Sequence, residues 1–205
     1  MPQEIQFKYK NVTISGLPGA GSSTLGKALA EKLGWNYYCG GDFMRQEALA
    51  RGLFQEKGGL HHDATAYDEE FDRQVDYRLR KTAQESEHNV LESWLSGFMT
   101  QGVTNVLKVL VVCSDDAVRI DRIVNRDEIN VAEAKKHIFE REAKNLTKWS
   151  KMYAKEWQEW VVAKKKCSPD KPIYFWYPQF YDLVLDTFSL TKEETLQNVL
   201  DKLVR

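Results

Sequence analysis

The sequence predicts an α/β domain in which a mainly parallel sheet is covered by helices on both faces. Short apolar strand candidates alternate with helix-forming segments along the chain, which is the order of βαβ units. The strand candidates are apolar runs, as is typical of strands that are covered on both sides. With 205 residues, 42% of them hydrophobic, the chain is long enough for one medium-sized core.

The N-terminal quarter predicts a strand, a glycine-rich turn, a helix, a second strand and a second helix. Residues 12–15 predict the first strand, because most of them are β-branched and the run ends at Gly16. Leucines recur every fourth residue between Thr24 and Gly34, which predicts a helix that begins at Thr24. Residues 35–39 predict the second strand, and Asp42 is placed to cap a helix that ends near residue 51.

The middle of the chain predicts one charged helix, two strands and further helices. A helix is expected from Thr65 to about Glu85, because one apolar stripe runs along an otherwise polar segment. Residues 89–93 and 106–113 predict the third and fourth strands. A helix begins near Asp115, and residues 130–160 predict one or two long helices.

The C-terminal part predicts an irregular segment, a fifth strand and a last helix. Residues 164–178 hold three of the five prolines. Residues 181–186 predict the strand. The last helix is expected over residues 191–204, where Thr191 and Glu194 have the spacing of a capping box.

Composition and charge argue against several classes of protein. A formal net charge of −1 does not fit a chain that coats nucleic acid. The three cysteines are odd in number and widely spaced, so neither a disulfide framework nor a zinc site is expected. His61, His62 and Asp63 are adjacent but lack a third ligand at metal spacing. The N-terminal residues have no signal-peptide pattern, and the strongest apolar run, 106–113, is too short for a bilayer. We therefore expect a cytoplasmic protein without a membrane partner.

The segment Gly16–Thr24 carries the clearest chemical signal. Gly16 and Gly21 bracket four residues between a predicted strand and a predicted helix, which is the spacing of a phosphate-binding P-loop. Backbone N–H groups there can turn toward phosphate oxygens, and the hydroxyl of Ser23 can bind Mg²⁺. The residues expected to bind ATP are Gly16, Gly19, Ala20, Gly21, Ser22, Ser23 and Thr24. A glycine-rich turn that binds nothing is the alternative.

One residue of this loop departs from the P-loop pattern. Ser22 occupies the position at which a lysine normally neutralises the β- and γ-phosphates. Lys27 lies farther along the helix and is expected to point elsewhere. Ser22 is a catalytic candidate because of its position in the loop.

Four segments together resemble nucleoside monophosphate kinases, particularly cytidylate kinases of the archaeal and cytidylate-kinase-like type. They are Gly16–Thr24, Gly41–Arg45, Asn89–Ser93 and Tyr181–Thr187, and the likeness covers about residues 10–150 and 180–205. It implies a three-layer α/β/α fold with a five-stranded parallel sheet, a helical flap that binds the nucleoside monophosphate (NMP), and a lid. The implied single domain, 1–205, has its core at about 10–50, 87–125 and 180–205, the flap at 40–86, and the lid with a helical insertion at 126–178.

The resemblance also implies roles for residues of the acceptor and metal sites. Asp42 and Arg45 match the start of the helix that receives the monophosphate, where an arginine can grip a phosphate through two N–H groups. Glu92 matches the acid that orients Mg²⁺ through water, with an exposed strand-end glutamate as the alternative. Trp94 stands where the family usually has an arginine that holds the acceptor. It could stack on a base or belong to the core.

Charged residues farther along the chain match the family less specifically. Arg126 and Arg141 match lid arginines that stabilise the transferring phosphoryl group, with Lys144 and Lys148 as helpers, although neighbouring acids could simply pair with them. The family carries acids and an arginine on a flap helix near the acceptor base, and the matching positions are Asp72, Arg73 and Asp76. A solvated helix face is the alternative for those three residues.

The resemblance implies transfer of the γ-phosphoryl group from Mg·ATP to CMP or dCMP. Three other functions remain open: a P-loop kinase for AMP, UMP or a non-nucleotide acceptor, a nucleotide-binding module that has lost catalysis, and a nucleic-acid-binding protein. The last would use residues 148–171, where lysines are interleaved with aromatic residues, but an aromatic stripe packed on the domain is the favoured interpretation. Small-molecule nucleotides are the expected partners, and monomer and dimer stay open.

Overall fold

The computed structural model describes residues 6–50 and 67–204, with the side chains of residues 45 and 47–49 outside that description. Its centre is a five-stranded sheet in the order β2-β3-β1-β4-β5, in which every pair of neighbours is parallel. The strands are β1 Asn11–Gly16, β2 Asn36–Cys39, β3 Asn89–Glu92, β4 Val106–Val112 and β5 Leu183–Asp186. All five strands that the sequence predicts are present, with boundaries shifted by up to two residues.

Nine α-helices are described along these two parts of the chain. They are α1 Ser22–Leu33, α2 Gly40–Ala50, α3 Glu69–Glu85, α4 Ser96–Met99, α5 Asp116–Asp127, α6 Val131–Lys135, α7 Arg141–Met152, α8 Ala154–Trp157 and α9 Lys192–Val204. Two π-helical turns, Lys136–Glu140 and Gln158–Val162, and a 3₁₀ turn, Pro178–Phe180, complete the elements. Among the described helices, none is both long and apolar enough to span a membrane.

The sheet separates two apolar clusters, which makes the fold the predicted three-layer α/β/α arrangement. One cluster joins the strands to α1 and α9 through residues such as Leu25, Leu29 and Val199. The other joins them to α3, α4 and the helices after residue 140, with Phe98 and Tyr153 among its fully buried side chains. Burial on both faces explains the apolar residues of the three inner strands, β1, β3 and β4.

The segment 155–178, which is the later part of the expected lid and insertion region 126–178, packs into the second cluster. Trp157, Val161, Phe175 and Trp176 are all buried there. The ring of Phe98 lies 4.6 Å from that of Phe175. The aromatic stripe of residues 149–160 is therefore packed against the domain, as favoured from the sequence, and its buried rings are not placed to stack on bases.

Several predicted boundaries were wrong, for identifiable reasons. Helix α1 begins at Ser22 rather than Thr24, because Gly21 adopts the left-handed conformation that ends the loop. Helix α2 begins at Gly40, so Asp42 lies in its first turn and is not the N-cap. Asp68 caps α3, whose first residue is Glu69.

The predicted capping box is confirmed, since Thr191 and Glu194 exchange hydrogen bonds. The histidine pair at 61–62 lies outside the described residues.

Candidate active site

The glycine-rich loop joins the end of β1 to the start of α1. Gly19 has φ +79° and Gly21 has φ +99°, which are backbone conformations that residues with a side chain rarely adopt. A Cβ atom at Gly19 would lie 2.7 Å from the carbonyl oxygen of Arg119, so the loop is also too close to α5 for another residue there. The residues from Gly16 to Thr24, apart from the buried Ala20, line the larger of two cavities, of about 770 Å³.

Two neighbouring strands bring Glu92 to this loop. In the β1–β3 register Glu92 lies opposite Ile14, two residues before β1 ends, and in β2 it lies opposite Cys39. The Ser22 hydroxyl donates to Oε1 of Glu92 over 3.0 Å, and the Tyr37 hydroxyl donates to Oε2 over 3.4 Å. Glu92 is only 5% exposed. A buried carboxylate thus faces the position that a lysine holds in the usual P-loop.

This carboxylate affects the groups around it. Burial, followed by the charge of Glu92, raises the pKa of the Tyr37 hydroxyl far above its usual value. The same two causes raise the pKa of the Cys39 thiol to about 12. Both groups are therefore neutral at physiological pH, and neither adds a negative charge beside a bound phosphate.

The donor set at this end of the cavity fits a nucleotide-bound Mg²⁺. The ion usually takes one or two protein ligands and completes its shell with water and phosphate oxygens. Ser23 and Glu92 both line the larger cavity, so a hydroxyl and a carboxylate face the space beside the loop. The described residues contain no group of three or more His, Cys, Asp or Glu side chains that could hold a metal ion.

A smaller cavity, of about 80 Å³, lies between α2, α3 and α7. It shares four wall residues with the larger one: Gly41, Ser93, Trp94 and Arg141. The two cavities therefore meet at the ends of β2 and β3, which are the carboxyl ends of parallel strands, where α/β proteins bind their ligands.

Two acids of α3 line the smaller cavity. Asp72 is 2% exposed, and the Lys148 ammonium lies 3.0 Å from its Oδ2 atom. The Tyr153 hydroxyl donates to Oδ2 of Asp76 over 2.7 Å. Desolvation raises the pKa of Asp76 to about 7, and the nearby charge of Asp72 adds to the increase. Asp76 can thus carry a proton near neutral pH.

Trp94 belongs to both the core and the site. Its ring makes edge-to-face contacts with Trp149 at 5.5 Å and Trp176 at 6.2 Å. The guanidinium group of Arg141 lies over the ring at 5.0 Å from its centroid. Of the two alternatives weighed from the sequence, packing in the core is the one that the structure shows, and the same ring supports a cation on the wall of both cavities.

Other residues singled out from the sequence are placed differently. Arg126 and Asp42 line the larger cavity, but Arg126 is 53% exposed and makes two hydrogen bonds to Asp127, at 2.7 and 2.8 Å. Arg73 turns away from both cavities: it bonds to Glu156 and to the carbonyl of Met152. Lys148 is held by Asp72 and by the carbonyl of Tyr67. The Arg45 side chain lies outside the described part of the chain.

The structure also adds residues that sequence reasoning did not single out for the site. Lys27 also lies on the wall of the larger cavity, one turn into α1. Asn145 lines the smaller cavity one turn after Arg141, and that i, i+4 spacing was a readable signal. Tyr37 reaches Glu92 only through strand pairing, which the sequence does not reveal.

Comparison with solved structures supports the three-layer α/β/α fold. The chain aligns with an uncharacterized protein from Eubacterium ventriosum with a TM-score of 0.60, at 13% identity, over 94% of this chain and 96% of the other. A shikimate kinase from Acinetobacter baumannii, solved with shikimate, aligns with a TM-score of 0.52, also at 13% identity, over 94% and 92% of the two chains. At these identities the likeness concerns the fold alone.

Comparison of sequences gives the family. The model of the cytidylate kinase-like family matches residues 11–189. A cytidylate kinase from Methanopyrus kandleri is 29% identical over 193 residues, covering 90% of this chain and 88% of the relative. A cytidylate kinase from Pyrococcus furiosus is 33% identical over 168 residues, covering 78% and 82%. With the fold and the two joined cavities, these matches show that the chain belongs to the cytidylate kinase-like family and is a nucleoside monophosphate kinase.

Proposed function

We propose that the protein transfers the γ-phosphoryl group of Mg·ATP to CMP or dCMP. The observation that carries the proposal is that a P-loop cavity and an acid-lined cavity meet at Trp94 and Arg141. A donor in the first and an acceptor in the second would bring their phosphates together at that junction. Holding two reactants in this way can supply much of the rate enhancement of a bimolecular transfer.

The donor would bind through the loop, from Gly19 to Thr24. Its backbone amides and the N-terminus of α1 favour phosphate oxygens. Ser23 and, through water, Glu92 would hold Mg²⁺, which when bound neutralises charge on the donor phosphates. Glu92 would also keep the Ser22 hydroxyl oriented, since the two side chains are hydrogen-bonded at 3.0 Å.

The transfer itself would need positioning and positive charge. The acceptor phosphate oxygen attacks the γ-phosphorus, the bond from that phosphorus to the β–γ bridging oxygen breaks, and ADP leaves. Arg45 would grip the acceptor phosphate. Arg141, at the junction of the cavities, and Arg126, on the wall of the larger one, would stabilise the charge spread over the moving group. Arg126 would first leave Asp127.

The acids of the smaller cavity favour cytosine over uracil. Cytosine presents an amino donor beside a ring-nitrogen acceptor, whereas uracil presents a carbonyl and an N–H group at the same positions. A protonated Asp76 can donate to the ring nitrogen and accept from the amino group, but it can match the uracil edge equally well by carrying the proton on its other oxygen, so the preference for the amino group rests on Asp72. The Asp76 pKa of about 7 makes that proton available near neutrality. Asp72, held by Lys148, would remain a second acceptor.

The test is ADP production from ATP across ribo- and deoxyribonucleoside monophosphates, with a no-acceptor control and a parallel series in EDTA. We expect acceptor-dependent turnover that is highest with CMP or dCMP and is lost in EDTA. Highest turnover with AMP, UMP or a non-nucleotide alcohol would reassign the acceptor. Asp76→Ala, which removes both the donor and the acceptor, should raise the KM for CMP and leave the KM for ATP unchanged.

A nucleotide-binding module without turnover is the second candidate, because a serine replaces the P-loop lysine beside a buried carboxylate. ATP binding without acceptor-dependent ADP production would favour it, and gain of activity in Ser22→Lys would identify the lost group.

The free thiols of Cys39, Cys113 and Cys167 support our proposal that the protein works in the reducing cytosol.

A further inference from the structure

The outer side of the P-loop is held by three side chains, each of which binds one of three consecutive carbonyl groups. Arg119 donates from Nε to the carbonyl of Pro18 over 3.1 Å. Arg122 donates from Nη1 to the carbonyl of Gly19 over 3.0 Å. The Thr187 hydroxyl donates to the carbonyl of Ala20 over 2.7 Å. The first two residues come from α5, and Thr187 directly follows β5.

Holding these carbonyls fixes the direction of the amides. In a planar trans peptide the C=O and N–H groups point to opposite sides. The carbonyls of Pro18 and Ala20 share their peptide units with the amides of Gly19 and Gly21. When α5 and Thr187 hold the carbonyls on the outer side, these amides turn toward the side where a phosphate would lie. Free glycines would otherwise sample many orientations.

Arg122 and Thr187 also bind each other. The Arg122 guanidinium donates to the Thr187 hydroxyl over 2.8 Å and to the Thr187 carbonyl over 2.9 Å. All three of these Arg122 hydrogen bonds go to uncharged oxygens, whereas Arg119 is paired with Asp116 at 3.0 Å and Glu142 at 3.5 Å. Arg122 and Thr187 both line the larger cavity. The Arg122 charge also acts on Asp186, so the cation behind a loop whose lysine position holds Ser22 is partly balanced by that carboxylate.

We propose that Thr187 and Arg122 are positioning residues of the donor site: Thr187 holds the Gly21 amide toward the donor phosphates, and Arg122 holds both Thr187 and the Gly19 carbonyl and places a positive charge behind the loop. The inference rests on the proposed function only in taking Mg·ATP as the donor. It assigns no contact between Arg122 and the acceptor, so its effects should separate the two substrates.

The test measures binding of Mg²⁺ with a non-hydrolysable ATP analogue by calorimetry, together with the KM values for ATP and CMP. Arg122→Met should weaken analogue binding roughly 10- to 100-fold, and Thr187→Val roughly 3- to 10-fold, with the KM for CMP unchanged within about twofold. Arg122→Lys should recover only part of the affinity, because one ammonium group cannot reproduce the fork that binds Gly19 and Thr187.

Matched controls separate positioning from stability. Arg80 also binds two backbone carbonyls, those of Met99 and Gln101, but lines neither cavity. Thr147 likewise donates its hydroxyl to a carbonyl, on the exposed side of α7. Arg80→Met and Thr147→Val should leave analogue affinity unchanged.

Several results would overturn the proposal. They are unaltered analogue affinity in Arg122→Met or Thr187→Val, equal rises in both KM values, or the same loss of affinity in the controls. A wild-type protein that binds no Mg·ATP analogue would instead contradict the donor assignment itself, and the proposal with it.

Discussion

Replacing Trp94 by leucine tests whether the aromatic cluster positions a cation at the junction of the two cavities. The Trp94 ring has two edge-to-face contacts, with Trp149 and Trp176, and supports the Arg141 guanidinium at 5.0 Å. Each aromatic pair contributes about 0.5–1.5 kcal/mol and the cation–π contact about 1 kcal/mol. The variant should therefore lose about 2–4 kcal/mol of stability.

The loss of the cation–π contact should also appear in catalysis. An Arg141 side chain that is about 1 kcal/mol less well held should lower kcat roughly fivefold. Denaturant unfolding gives the stability, and steady-state kinetics well below the unfolding transition give kcat. Trp94→Phe, which keeps an aromatic face, should retain more of both.

Trp160→Leu is the matched control for this experiment. Trp160 packs on Phe98 at 5.5 Å and supports Arg80 at 4.1 Å, but it lines neither cavity. We expect a loss of stability with little change in kcat. If Trp94→Leu is destabilised and keeps kcat within twofold of the wild type, then Arg141 does not depend on this ring for its position, and the reasoning is refuted.

Three further predictions concern single residues of α3 and the loop. Because the pKa of Asp76 rises from 3.8 to about 7 on folding, the native state holds its proton more tightly than the unfolded chain, and stability should fall as pH rises from about 4 to about 7. In urea unfolding, Asp76→Asn should lack this component, and a pH-independent difference between the two proteins would contradict the assignment. Arg73→Met should lower stability by roughly 1–2 kcal/mol, since Arg73 joins α3 to Glu156, without raising the KM for CMP; a selective rise in that KM would return Arg73 to the acceptor site. Gly19→Ala should abolish binding of the ATP analogue while the protein remains folded by circular dichroism, because the added Cβ would lie 2.7 Å from the Arg119 carbonyl; retained affinity would show that the loop can shift.

The features predicted well from the sequence are those that local patterns determine. The apolar runs gave all five strands, and the loop was recognisable because its glycines, strand and helix are contiguous. The aromatic stripe at residues 149–160 was correctly interpreted as packing, since its spacing is helical. The predicted helix boundaries were less accurate where conformation depends on neighbours. At Gly21 the left-handed backbone lets α1 begin at Ser22, two residues before the predicted start.

The features that were not predicted depend on contacts between distant segments. Glu92 meets Ser22 and Tyr37 because β3 lies between β1 and β2. The family resemblance implied that Arg73 lies near the acceptor base. Its guanidinium instead binds Glu156, a buried glutamate of α8. The role of Thr187 follows from the proximity of β5's end to the P-loop, which only the folded sheet establishes.

The most direct measurement of the central claim is the ratio of kcat/KM for CMP to kcat/KM for UMP, with Mg·ATP as the donor and product diphosphates separated by chromatography. We expect CDP and ADP to form in equal amounts. We also expect the CMP-to-UMP ratio of kcat/KM to be about 10 or more, since a site that hydrogen-bonds the cytosine edge is mismatched with uracil. A ratio near one or below, or ADP that forms equally without an acceptor, would contradict that claim.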